Sequence, residues 1–268
     1  MAKKSKNSLL WQISGDKLPG TSYLFGTMHV KDERAFSLIE SLQKAIDTCD
    51  AFATEFNLSE MESGVEPNAM DLPDNQVLTD FISEKKYQRM RKTFIKYFEF
   101  DIEVLKSAMP LIISNALSAQ TLMTDREVNL DQYLWQYAAS KEKVTLGIET
   151  FAEQLEILHA IPLDYQFKAL SDIAKNISGF SKQHQKMTAL YEKQDIRQMY
   201  QSTKKSIGGA RKILLYNRNT IMAERIERMA REQTLFAAIG AAHLAGKKGV
   251  LKLLKDAGLK VKPVKLTD

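Results

Sequence analysis

Two short apolar runs in this chain end in the same way. YLFGTMHV (23–30) and FAAIGAAHLAG (236–246) are each about a strand long. Each reaches a glycine, Gly26 or Gly240, and delivers a histidine three residues later, His29 or His243. With 12 glycines and 4 histidines in 268 residues, roughly 0.2 such spacings arise by chance, so two are informative. Two more strand-like runs carry a carboxylate near their ends: AFATEFNL (51–58), which alternates and holds Glu55, and KVTLGIE (143–149), which holds Glu149. In open α/β sheets, ligands gather outside the carboxyl ends of the strands. If these four strands lie side by side, two imidazoles and two carboxylates converge on one rim.

The rest of the chain reads as helix and turn. SLLWQI (8–13) and SYLFGTM (22–28) flank SGDKLPG, a turn, and form an N-terminal hairpin. Residues 33–48 have helical spacing. Residues 59–124 hold a loop and then helices, one with a strongly basic face (QVLTDFISEKKYQRMRKTFIKYF) and one starting at Pro110. NLDQYLWQYAASKEK is an amphipathic helix capped by Asn129 or Asp131. Residues 150–215 are again helical, broken at Gly208–Gly209. ARKILLYNRNTIMAERIERMAR is one long helix, and the chain closes with a compact βαβ unit. The fold class is α/β: a mixed central sheet flanked by helices, with an inserted helical lid. The expected organisation is one domain over 1–268, its core from 8–58, 125–156 and 214–266 and its lid from 59–124 and 157–213.

Charge and composition exclude several classes. The net charge of +5 reads as solvated basic ends, MAKKSK and GKKGVLKLLKDAGLKVKPVK, without interleaved aromatics, so no nucleic-acid partner is expected. The longest apolar run, 235–246, is interrupted and falls short of the roughly 20 residues of a span, so no integral membrane segment is expected. The N-terminus lacks the apolar run of a signal peptide. The expectation is a soluble protein, cytoplasmic or exported after loss of a leader. A lone cysteine, Cys49, rules out an intramolecular disulfide and reads as a half-buried structural residue.

Two neutral imidazoles with one or two carboxylates suit Mn, Co, Fe or Zn. A carboxylate off the metal can serve as a general base. The glycines allow a sharp turn or a close backbone approach at the strand end. There is no HExxH helix. The competing reading makes each histidine a satisfied core or surface residue. His159 and His184 sit in helical patterns and read as a helix-end residue and a solvated one.

Together LLWQI…SYLFGTMHV, FATEFNL, KVTLGIETFAEQ, YNRNTIMAERI and AAIGAAHLAGKKGVLKLLKDAGLKVKPV resemble the TraB/GumN (PrgY) family, which includes the Tiki metalloproteases. The resemblance runs through 8–58, 131–156 and 214–264. It implies an α/β core related to erythromycin esterases and to a bacterial iron-regulated lipoprotein. It implies a divalent ion, Mn or Co before Zn or Fe, held by His29, Glu55 and His243, with Glu149 in or beside the site. Glu149 or Glu55 would act as base, and Arg218 and Asn219 of YNRN would orient or stabilise a substrate carbonyl. The function so implied is a metal-dependent, peptidase-like hydrolase acting on a peptide or small molecule. Two alternatives stand beside it: a metal-free esterase with a histidine base, and a non-catalytic protein that sequesters a peptide, a metal or a porphyrin. Homo-oligomerisation is left open.

Overall fold

A computed structural model describes residues 7–62, 66, 68–122 and 124–264. The basic run at residues 1–6 and part of the 59–75 loop lie outside the described residues. By contacts the chain divides into two compact units. One comprises Met1–Ser63, Thr124–Gln154 and Met187–Asp268, the other Gly64–Met123 and Leu155–Lys186.

The first unit is built on a six-stranded mixed sheet. Its strands are β1 (Leu10–Ser14), β2 (Ser22–Thr27), β3 (Ala51–Phe56), β4 (Val144–Glu149), β5 (Leu235–Gly240) and β6 (Lys260–Pro263), in the order β4-β3-β5-β2-β1-β6. The turn after β1 folds the chain into the expected antiparallel hairpin with β2. β2, β5, β3 and β4 are neighbours and all parallel. Their C-terminal ends therefore share one edge of the sheet. In register, Thr27 faces Gly240 and Phe56 faces Glu149.

Burial is continuous along β3 and β5, apart from the last residue of each. The alternation expected of 51–58 is absent because helices cover both faces of the sheet's centre, as happens with parallel strands. Phe236 of β5 is the hub of the packing. It stacks on Phe52 at 5.7 Å and 15°, and tilts against Phe25 at 6.3 Å and Tyr23 at 6.4 Å. The closing βαβ is less compact than expected. β6 runs parallel to β5, but β1 and β2 stand between them.

The expected long helix before β5 is divided. Gly208–Ala210 is a 3-10 turn, Lys212–Asn217 is π-helical, and an α-helix runs over Arg218–Glu232. A π segment carries one more residue per turn than its neighbours, and such segments often occur at functional sites. The Leu130–Ser140 helix starts at Asn129, whose side chain accepts from the Gln132 amide. Cys49 is buried, and burial pushes its thiol up to about 11.

The second unit is helical. Its core gathers Leu78, Met90, Phe94, Leu117, Phe167 and Leu170 from several helices. Among the described residues no helix is long and apolar enough to cross a membrane.

Phe236 is fully buried against three aromatic rings. Phe236→Ala is therefore expected to lower stability by about 3–5 kcal/mol. Urea unfolding followed by circular dichroism reads this, and a loss below about 1 kcal/mol would contradict this account of the sheet's core.

Candidate functional site

The common edge of β2, β5, β3 and β4 brings His29, His243, Glu55 and Glu149 to one end of the sheet. The Arg218–Glu232 helix brings Arg218 and Asn219 to the same place.

Arg218 binds two carboxylates at once. Its Nη2 donates to Glu55 Oε2 and to Glu149 Oε2, both at 2.6 Å, and its Nε donates to Glu149 Oε1 at 3.0 Å. Gln154 also donates to Glu149 Oε2. Glu149 is only 2% exposed, so it faces protein rather than solvent. Glu55 keeps a second anchor, since the Gly240 amide donates to its Oε1 at 2.8 Å. Burial works to raise the Glu55 carboxyl. Arg218, then His243, His29 and the Gly240 N–H, override it and hold the carboxyl well below the usual range. Burial likewise opposes the Arg218 charge, but Glu55 and Glu149 keep it firmly protonated.

The two imidazoles are each fixed through Nδ1. His243 Nδ1 lies 2.6 Å from Asn219 Oδ1, and Asn219 Nδ2 donates to the Lys248 carbonyl at 2.7 Å. That second bond sets the amide's orientation, so Oδ1 faces the ring and Nδ1 must carry the proton. Nε2 is left with its lone pair, 3.9 Å from Glu55 Oε1. Burial pushes His243 down to about 4, against the pull of Glu55, so the ring is neutral at pH 7. His29 is the accessible partner, with a side chain 59% exposed, and its Nδ1 pairs with Asp131 Oδ2 at 2.8 Å. The Asp131 charge raises His29 to about 9.

Neither Gly26 nor Gly240 has a left-handed backbone; among the described residues the glycines with positive φ are Gly208, Gly246 and Gly258. What Gly26 and Gly240 provide is room. A Cβ at Gly240 would stand 3.1 Å from Glu55 Oε1, and one at Gly26 would stand 2.6 Å from Leu244 Cδ1 and 3.0 Å from Ala241 Cα. The Tyr191 hydroxyl donates to the Gly26 carbonyl at 2.9 Å and steadies that strand.

A cleft of about 420 Å³ opens at this edge, with His29, Glu55, Phe56, Asp131, Gln132 and Trp135 in its walls. The donors suit a borderline divalent ion: two imidazoles, each with its outer nitrogen held by an oxygen, and a carboxylate beside them. Among the described residues, no three His, Cys, Asp or Glu side chains are gathered closely enough to hold an ion.

Asp131 is the participant that sequence reasoning weighed only as a helix cap. It sits in the first turn of the Leu130–Ser140 helix, buried with Leu130, Leu134 and Ala138. The available signal was an acidic residue in step with a buried apolar stripe. His159 and His184 lie elsewhere, in the helical unit. His159 Nε2 meets the Ala69 carbonyl, and His184, expected in solvent, is half-buried against Phe180 and Thr121.

Known proteins give an independent comparison. The model of the TraB/PrgY/gumN family matches residues 9–263. Metalloprotease TIKI1 of Danio rerio is 24% identical over 95% of this chain and 63% of its own length. Metalloprotease TIKI2 of Danio rerio is 22% identical over 97% and 62%, and that of Xenopus tropicalis 22% over 97% and 60%. The chain thus spans about three-fifths of the length of these relatives. No solved structure matches it. With nearly its whole length matched by the family model, the chain belongs to the TraB/PrgY/gumN family.

Proposed function

We propose that this protein is a metal-dependent hydrolase, peptidase-like in its chemistry, with His29, His243 and Glu55 as the residues that hold a divalent ion. One observation carries the reading: each strand-end imidazole has a side-chain oxygen beside Nδ1, Asn219 Oδ1 hydrogen-bonded to His243 and Asp131 Oδ2 in an ion-pair contact with His29. Ligating histidines are oriented in this way, with Nε2 presented to the ion. The metalloprotease names of the relatives point the same way. A divalent ion bound there supplies a Lewis acid that lowers the pKa of water and polarises a carbonyl. Mn or Co is the expected ion.

The chain's own residues then divide the work. Glu55, the ion's carboxylate ligand, faces the cleft, kept ionised and aimed by Arg218 and the Gly240 amide. Arg218 spends its Nε and Nη2 on carboxylates, so it acts by holding Glu55 rather than by meeting an oxyanion. Glu149 is the buried counter-charge that fixes Arg218. Asn219 is wholly buried and sets the tautomer of His243. These assignments move Glu149, Arg218 and Asn219 from touching substrate to positioning what touches it.

Purified protein is expected to retain a stoichiometric divalent metal by elemental analysis, and to cleave members of a peptide library with Mn or Co added. His29→Ala and His243→Ala should each lose the metal and the activity; undiminished turnover in both would sink the mechanism.

Asp131→Asn and Asn219→Leu leave every proposed ligand in place. Each is expected to weaken metal affinity about 10–100-fold, measured by competition with a chelator. Wild-type affinity in both would remove the support drawn from the Nδ1 contacts.

Arg218→Met strands two buried carboxylates and should cost about 3–5 kcal/mol at pH 7. Without the guanidinium, burial raises the folded Glu55 carboxyl above its unfolded pKa. A raised carboxyl is least unfavourable below the unfolded pKa, so the variant's deficit should shrink as pH falls from 7 towards 5. Wild-type Glu55 behaves oppositely, its depressed pKa giving stability that is lost as acid protonates it. Urea midpoints at the two pH values decide the matter, and a pH-independent deficit would contradict it.

A further inference from the structure

We propose that the cleft beside the strand-end site selects the substrate: it takes a peptide segment carrying a large apolar side chain and refuses one carrying a charge. The proposal rests on the hydrolase reading and names the substrate class of that same site. The cleft lies within the first unit, between two of its elements. One wall is the end of β3 and the residues after it, where Phe56 and Leu58 stand. The other is the first two turns of the Leu130–Ser140 helix, which packs on β3 and β4 and presents Gln132, Trp135 and Gln136. Phe56, Leu58 and Trp135 are each only half-buried. The Phe56 ring is steadied from behind by Phe151, at 5.7 Å between centres. An aromatic, an aliphatic and an indole surface that face one cavity are stabilised when apolar atoms cover them.

The charges in the walls point the same way. Among the described residues they are His29, Glu55 and Asp131 alone. Each is already committed, His29 to Asp131 and Glu55 to Arg218. Among the described residues no lysine or arginine lines the cleft to receive an acidic side chain, and no uncommitted carboxylate lines it to receive a basic one. A charged side chain that entered would give up its water without gaining a partner.

The polar groups that remain are carboxamides. Asn129 uses its oxygen to cap the helix. Gln132 and Gln136 stand one turn apart on the same helix face. Among the described residues neither of their side chains makes a hydrogen bond. Each is both donor and acceptor, which suits the N–H and C=O groups of an extended backbone. That pair separates a peptide from an acyl chain, which has nothing to offer it. A nucleotide or sugar phosphate is disfavoured because its charge would find no cation in the walls.

The test is equilibrium binding of the full chain to labelled, end-blocked alanine peptides with phenylalanine, aspartate or lysine at the centre, followed by fluorescence anisotropy. The phenylalanine peptide should bind at least about ten-fold more tightly than either charged one, the scale on which an apolar pocket discriminates. Trp135→Ala should bring its affinity down towards that of an all-alanine peptide. Gln136 is exposed. Gln136→Lys should improve the aspartate peptide about two- to five-fold, the strength of an exposed ion pair, and leave the lysine peptide no better. Circular dichroism verifies that both variants fold; should Trp135→Ala fail to fold, Gln136→Lys decides alone. Equal affinity for the three peptides overturns the proposal, as does an unchanged preference in either folded variant. Cleavage is read separately, with Mn or Co added. Apolar preference without turnover upholds the cleft's role and removes the hydrolase reading. Metal-dependent turnover with no preference at this residue does the reverse.

Discussion

Everything at the strand-end site depends on one guanidinium shared between two carboxylates. Glu55 and Glu149 end adjacent parallel strands, so the sheet forces two like charges together in a place with little water. Left alone, one of them would take up a proton. Arg218 removes that choice: it holds Glu55 ionised and, through its fork of donors, fixes the orientation of both carboxylates. The Gly240 amide completes the arrangement by drawing Glu55 towards the strand that carries His243. The three parts lie far apart in sequence and are brought together only by parallel strand pairing.

The histidines show the same division between what is presented and what is held. One ring is buried and neutral, oriented by an amide whose own orientation is set by a backbone carbonyl. The other is exposed and paired with an acid on a neighbouring helix. An amide partner suits a ring that must stay neutral in a dry setting, since a carboxylate there would attract a proton. A carboxylate partner suits a ring that solvent reaches.

Much of this was legible in the linear sequence, for a physical reason. Short apolar runs punctuated by glycine are strands, and a polar residue at the end of such a run can only face the rim. His29, Glu55, Glu149 and His243 announce themselves in that way. Asp131 does not, because a carboxylate in step with Leu130, Leu134 and Ala138 is masked by the helical stripe it belongs to. The π-helical Lys212–Asn217 is equally hidden, since its residues have ordinary helical character and only tertiary packing selects the wider turn. The roles of Arg218 and Asn219 needed the fold, because pairing and burial separate a group that meets a substrate from one that steadies its neighbour.

The position of β5 has a further consequence, for how the chain is made. It separates β2 from β3, so neither can complete its pairing until β5 exists. The Ser22 hydroxyl waits 213 residues for the Leu235 amide, and Asp50 waits 184 for Thr234. During synthesis the first hairpin and the third strand emerge long before the strand that joins them. Until then each has an open edge of unpaired amides and carbonyls. A sheet whose keystone arrives this late has high contact order, folds slowly and leaves its early strands open to wrong partners. The centre of the sheet therefore closes only once β5 has emerged.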